Sequence, residues 1–106
     1  MTVNILDCTL RDGGYYNKWD FSLELVTDYL DAMALNHVDF VELGLRQFSS
    51  DKYLGPHAFT SSSYLRRLHL PKGPKYGVMI DAKTVLSVDQ KQEEIIDLLF
   101  LIIILL

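Results

Sequence analysis

Asp7-Cys8-Thr9-Leu10-Arg11-Asp12-Gly13-Gly14 is the stretch on which the reading of this chain turns. An apolar run (Val3, Ile5, Leu6) leads into it, an Arg–Asp pair stands in its middle, and a double glycine closes it. A strand over Val3–Cys8 followed by a glycine turn delivers one permanent cation and one carboxylate to the strand's C-terminal tip. A carboxylate held there suits a hard divalent ion such as Mg²⁺ or Mn²⁺, which takes oxygen ligands. The arginine beside it offers fixed donors to a carboxylate or enolate oxygen. Spacing alone also allows the plainer alternative, a local Arg11–Asp12 ion pair that only anchors the strand end.

Downstream, the pattern switches between strand and helix. Asp20 and Ser22 are both good N-cap types, and Leu23, Val26, Leu30 and Met33 recur on one helical face until Asn36 and His37 close it. Val38–Leu43 is a nearly continuous apolar run, as in strands buried on both faces of a parallel sheet, and Gly44 ends it. Gly55-Pro56 punctuates the next connection, and a short helix starting between Thr60 and Ser63 runs through Tyr64, Leu65 and Leu68. Pro71, Gly73 and Pro74 lead into a third strand, Tyr76–Ile80, with Asp81 at its end; a third helix begins around Asp89. This alternation predicts an α/β fold with a parallel sheet. Arg11, Asp12, Glu42 and Asp81 then all fall at or just after the C-terminal ends of strands, the edge where such folds build their sites.

Length and composition narrow the function classes. The 106 residues suffice for one small domain, and 49% hydrophobic with 23% charged residues is ordinary for a globular chain. A net charge of −4 offers no basic footprint for nucleic acid or an anionic membrane. Cys8 is the one cysteine, so an internal disulfide is impossible and a reducing, cytoplasmic setting is expected; the N-terminus has no basic, apolar leader pattern. Residues 98–106 are all apolar, which is atypical. They are too few for a spanning helix, which needs about 20 residues, and they lack the polar face of a membrane-surface anchor. A buried element that further protein should cover is the simplest reading.

Glu42 interrupts an otherwise apolar strand, and a carboxylate there needs a partner; Arg11, one strand away, is the natural one. The pair is either catalytic or a structural anchor. Arg46, just beyond Gly44, binds a substrate carboxylate or is a solvated loop residue. Tyr15, Tyr16 and Trp19 form a substrate-facing lid, with Tyr15 as a phenolic proton donor, or simply pack the loop onto the rim. Cys8 has no histidine near it in sequence. His37, His57 and His69 lack ligand spacing and are expected at the surface or in caps. Gly13-Gly14 satisfies no nucleotide fingerprint.

The motif Asp7–Gly13 resembles the strand-1 signature of the metal-dependent pyruvate-type aldolases and lyases. That group includes 3-hydroxy-3-methylglutaryl-CoA lyase, 4-hydroxy-2-oxovalerate aldolase and the isopropylmalate and homocitrate synthases. Val41-Glu42-Leu43-Gly44 is similar to their second-strand motif, and Gly77-Val78-Met79-Ile80-Asp81 to their third. The resemblance implies the first three βα units of a TIM (β/α)₈ barrel, with residues 1–106 as a truncated N-terminal fragment of an aldolase-type barrel domain. It implies Asp12 as ligand of a divalent cation and Arg11 as enolate stabiliser; from their own placement in the chain, Glu42 and Tyr15 stand as catalytic candidates beside them, and Arg46 and Asp81 as candidate contacts of a small 2-oxo acid. The synthases place Glu-Gln after the motif glycine, where this chain has Gly14-Tyr15, so the hydroxy-oxovalerate aldolases are the nearer branch. Those carry a histidine base near the position of Tyr15. The family's His-x-His metal ligands lie on a late strand, and a complete barrel needs about 250 residues. The expectation is therefore a carbon–carbon lyase whose parent is longer than this chain, or a piece that assembles, for instance as a homo-oligomer. The competing expectation is a non-catalytic interaction module that assembles through its open sheet edge and apolar tail; a membrane-associated stub is the weakest.

Overall fold

The computed structural model describes residues 2–48 and 50–80 of the chain. Asp81, the helix expected from Asp89 and the apolar run 98–106 lie outside the described residues.

The first strand, β1, is short, Leu6–Asp7. Ile5 extends its pairing, its carbonyl accepting from the N–H groups of Asp39 (3.1 Å) and Phe40 (3.0 Å). The strand does not continue to Cys8 as the apolar run suggests, because the Asp7 carboxylate accepts the Thr9 N–H at 3.0 Å and turns the chain. Two one-turn helices follow, α1 at Thr9–Asp12 and α2 at Gly14–Asn17. The Arg–Asp pair thus rides on a helical turn and not on an extended tip.

Helix α3, Leu23–Leu35, starts where the capping pattern places it: Ser22 Oγ accepts the Leu25 N–H at 3.2 Å. Its apolar stripe buries Val26 and Leu30 completely, whereas Leu23 stays exposed. At its end the left-handed residue is His37 (φ 56°), one later than expected. Strand β2 runs Phe40–Leu45, helix α4 Pro56–Phe59, helix α5 Ser62–Leu65 and strand β3 Lys75–Met79. The sheet order is β1-β2-β3 and both pairings are parallel. The three strands and intervening helices make a small α/β fold.

Alternation along β2 decides what faces where. Val41 and Leu43 are buried in a core with Leu10, Val26, Leu30, Leu65 and Leu68. Phe40 and Glu42, on the opposite face, are only half-buried. Burial on both faces, expected from the apolar run, holds for one face among the described residues. Over the other lies an open, mainly apolar groove of about 290 Å³ above Leu6, Phe40, Glu42 and Gly77.

Gly44 does not end β2. It sits inside the strand at a register shift, between the pairs Glu42↔Gly77 and Leu45↔Met79. Its φ of +151° is a glycine conformation, and a Cβ there would stand 2.1 Å from the His57 carbonyl oxygen. The segment around α4 closes on this bulge. His57 Nδ1 lies 2.6 Å from the Leu43 carbonyl, and Thr60 Oγ1 donates to the Leu45 carbonyl at 2.7 Å. His57 is therefore a fully buried core residue and not a surface histidine. A carbonyl only accepts, so Nδ1 carries the proton and Nε2 accepts from the Tyr64 hydroxyl at 2.8 Å. Burial holds its pKa below the ordinary histidine value, with the Leu43 bond acting weakly in the other direction.

Candidate functional site

Arg11 reaches from α1 to β2 and donates through Nε to Glu42 Oε2 at 2.7 Å. Only 23% and 21% of the two side chains is exposed, and the Glu42 hydrogen bond, first among the causes, raises the arginine's pKa further. Asp12, the sequence neighbour, is a looser partner: its Oδ1 lies 3.8 Å from Arg11 Nη1 and its side chain is 70% exposed. The spacing-based alternative of a local Arg11–Asp12 ion pair is thus the lesser contact. The close pair crosses from one βα unit to the next.

The loop after the motif folds back on Arg11. Trp19 is buried, and its indole N–H donates to the Arg11 carbonyl at 2.8 Å. A Cβ on Gly14 would come within 1.8 Å of the indole ring, so the second glycine of the motif makes room for the tryptophan. Tyr15 lays its ring edgewise on Trp19, centroids 4.7 Å apart, and remains largely exposed; Tyr16 is exposed outright. A recess of about 70 Å³ lies at the C-terminal edge of the sheet, lined by Tyr15, Trp19, Leu45, Arg46, Gln47 and Met79. Arg46 is anchored there by a bond from Nη1 to the Thr60 carbonyl and by its backbone N–H on the Met79 carbonyl at 3.0 Å.

Of the residues singled out in the sequence, the structure joins Arg11, Asp12 and Glu42 in one cluster and sets Tyr15 and Arg46 around the adjoining recess; Asp81 falls outside the described residues. Sequence reasoning missed the support. Trp19 was visible only as one aromatic of three. Asp7 was visible only as part of the motif, yet its Oδ1 also accepts the Tyr29 hydroxyl from α3. Burial alone would raise the Asp7 carboxyl; the bonds from Tyr29 and Thr9 outweigh it and hold the carboxyl below its usual range. A carboxylate two residues before a helical turn was the available signal.

Asp12 fits a divalent cation only in part. Among the described residues no group of three or more His, Cys, Asp or Glu side chains is placed to hold a metal. One exposed carboxylate falls short of the several oxygen ligands that Mg²⁺ or Mn²⁺ takes. No helix among them is long and apolar enough to cross a membrane.

The class defined so far is a parallel α/β domain with a charged cluster at the C-terminal edge of its sheet. No protein-family model matches the chain, and no curated protein matches it significantly. A solved structure does: the crystal structure of the N-terminal domain of a candidate aldolase from Bacteroides vulgatus is similar at a TM-score of 0.76 and 37% identity. The match covers 98% of this chain and 33% of that one, so this chain spans about a third of the length of the solved chain. The small α/β fold with its three-stranded parallel sheet matches part of that N-terminal domain.

Proposed function

We propose that this chain is the N-terminal part of a divalent-metal-dependent aldolase or lyase that acts on a short 2-oxo acid through a pyruvate-like enolate. Arg11 held on Glu42 beside Asp12, at the C-terminal edge of a parallel sheet, is the observation that carries this reading. The likeness to the candidate aldolase's N-terminal domain supports the reaction class. The open apolar face over Leu6, Phe40 and Gly77 supports a barrel, whose interior is packed with branched and aromatic side chains contributed by all its strands.

In this reading the roles follow from charge. Breaking the bond between the carbon α to the 2-oxo group and the hydroxyl-bearing carbon beyond it leaves the bonding pair on the α carbon as an enolate, with the negative charge on the former carbonyl oxygen, while the hydroxyl gives up its proton and departs as a carbonyl. Donors fixed where that charge develops lower the barrier more than donors that must reorient. Glu42 holds Arg11 by Nε, and the Nη groups carry the guanidinium's other four N–H donors for the enolate oxygen. Tyr15, at the recess, is the phenolic group assigned to proton transfer. Arg46 is assigned the substrate carboxylate and Asp81 a further substrate contact. Asp12 is assigned one carboxylate bond to the cation, which would add Lewis-acid polarisation of the carbonyl; the remaining ligands must come from outside the described residues.

Exchange of the C3 protons of pyruvate into D₂O, followed by proton NMR with and without Mn²⁺, tests the reading in the protein carrying this sequence. Metal-dependent exchange that falls about a hundred-fold in Asp12→Ala is expected, because losing this carboxylate loosens the cation that would offset the charge developing on the enolate oxygen, a loss of the order seen when one such stabilising group is removed. Absence of exchange, or exchange indifferent to Asp12→Ala, refutes it. The sheet face left uncovered by the described residues also favours a second reading, an interaction module that docks through it. Light scattering that shows a monomer at all concentrations counts against that one.

A further inference from the structure

We propose that Trp19 is the positioning residue of this site: its indole N–H fixes the turn that sets Arg11 on Glu42. The role rests on the reading of Arg11 as the oxyanion donor. Arg11 sits in a four-residue helix, and a single turn does not hold itself in water. Leu10 ties one side of that turn into the core, and the Arg11 carbonyl on the other side receives the indole N–H at 2.8 Å.

The chain goes to some length to bring the indole there. Lys18 and Trp19 both adopt left-handed backbone angles (φ 60° and 55°), a strained choice for residues other than glycine. The Gly14 carbonyl accepts the N–H groups of both, that of Trp19 at 2.9 Å, and further bonds hold the turn. Asn17 Oδ1 accepts the Trp19 N–H at 3.1 Å, and Asn17 Nδ2 donates to the Asp20 carbonyl at 3.2 Å. From the segment entering α4, Gly55 N–H donates to the Lys18 carbonyl at 2.7 Å and His57 N–H to the Trp19 carbonyl at 3.3 Å. Gly14 gives up its side chain to make space for the ring.

A purely structural tryptophan would need only its ring. The ring does pack beside Leu45 and Ala58, and a phenylalanine would serve that purpose. What packing does not explain is the N–H directed at the backbone of Arg11, the residue that pairs with Glu42. The same ring walls the recess with Tyr15 and Arg46, so whatever occupies the recess touches the residue that holds Arg11.

The test reads the Arg11 side chain itself and needs no turnover. In ¹⁵N-labelled full-length chain, the Arg11 Nε–H cross-peak, identified by its loss in Arg11→Lys, is expected to exchange with water more slowly than those of Arg66 and Arg67. Replacing Trp19 by its benzothiophene isostere keeps the ring shape and removes the N–H; Trp19→Phe removes more of the ring. Both are expected to speed Arg11 Nε–H exchange about five-fold, the worth of one neutral hydrogen bond, while the melting temperature of the isostere variant stays close to that of the parent. An unprotected Arg11 signal in the parent, or exchange unchanged in the isostere variant, overturns the proposal. Because pyruvate exchange is not the readout, a protein that shows Trp19-dependent protection but no pyruvate chemistry would defeat the proposed function and leave only the statement that Trp19 sets Arg11 on Glu42.

Discussion

Glu42→Gln is the perturbation that separates an anchor from a site. Glutamine keeps the size and an acceptor for Arg11 Nε, and removes only the charge. With side chains 23% and 21% exposed, the pair stands between two regimes. Exposed pairs are worth about 0–1 kcal/mol, and loss of one partner from a fully buried pair costs about 3–5 kcal/mol. The intermediate burial and the 2.7 Å contact place the loss near 2 kcal/mol, which at about 4–8 °C per kcal/mol for a domain of this size lowers the melting temperature by roughly 10 °C. The double variant Arg11→Met, Glu42→Leu should recover most of that, because well-packed apolar replacements of a desolvated ion pair are commonly neutral or better. Urea midpoints followed by far-UV circular dichroism for Arg11→Met, Glu42→Leu and the double variant give the coupling energy. Coupling above about 1 kcal/mol is expected. If the single losses simply add, to within the roughly 0.3–0.5 kcal/mol that independent sites show, the two side chains do not interact in solution and the site as described is wrong.

Two further outcomes follow from the α4 closure. Gly44→Ala forces a side chain into a φ of +151° and to within 2.1 Å of a backbone oxygen that cannot swing away, so a loss of at least about 3 kcal/mol is expected in the urea midpoint; a change below 1 kcal/mol would mean that the bulge is not formed. His57 titrates in the opposite sense to a paired surface histidine. Its folded-state pKa is lowered below the unfolded value of about 6.5, so the unfolded chain binds the proton more readily. Its contribution is therefore complete above pH 6.5 and declines as pH falls below it, by at most about 1.4 kcal/mol per pH unit. Urea midpoints at pH 7.5, 6.5 and 5.5 check this, and stability that rises between 6.5 and 5.5 refutes it.

The strand–helix alternation was legible because it rests on periodicity: Leu23–Leu35 with its Ser22 cap, and the apolar run that became Phe40–Leu45, follow from local pattern. What stayed hidden was the work of non-local polar bonds. Nothing near His57 in sequence announces that its ring will take the Leu43 carbonyl, fourteen residues back, at a bulge that Gly44 alone permits. The helical turn at Thr9–Asp12 was missed for a similar reason: an apolar lead-in argues for continued strand, and only the Asp7 carboxylate on the Thr9 N–H overrules it.

For the candidate site the same distinction settles how the motif's two charges differ. Adjacency suggests that Arg11 and Asp12 serve each other, and spacing could not decide between that and a site. In the fold Arg11 turns to Glu42, a carboxylate thirty-one residues away, and Asp12 is left 3.8 Å off with its side chain 70% exposed. If the cluster existed only to tie α1 to β2, Glu42 would suffice. A second carboxylate beside the same guanidinium adds repulsion between like charges without adding a close bond. Asp12→Asn should therefore leave the urea midpoint within about 0.5 kcal/mol of the parent, as surface substitutions do, while Glu42→Gln lowers it. A destabilisation by Asp12→Asn equal to that by Glu42→Gln would make both carboxylates structural and remove the main physical reason for assigning Asp12 to a cation.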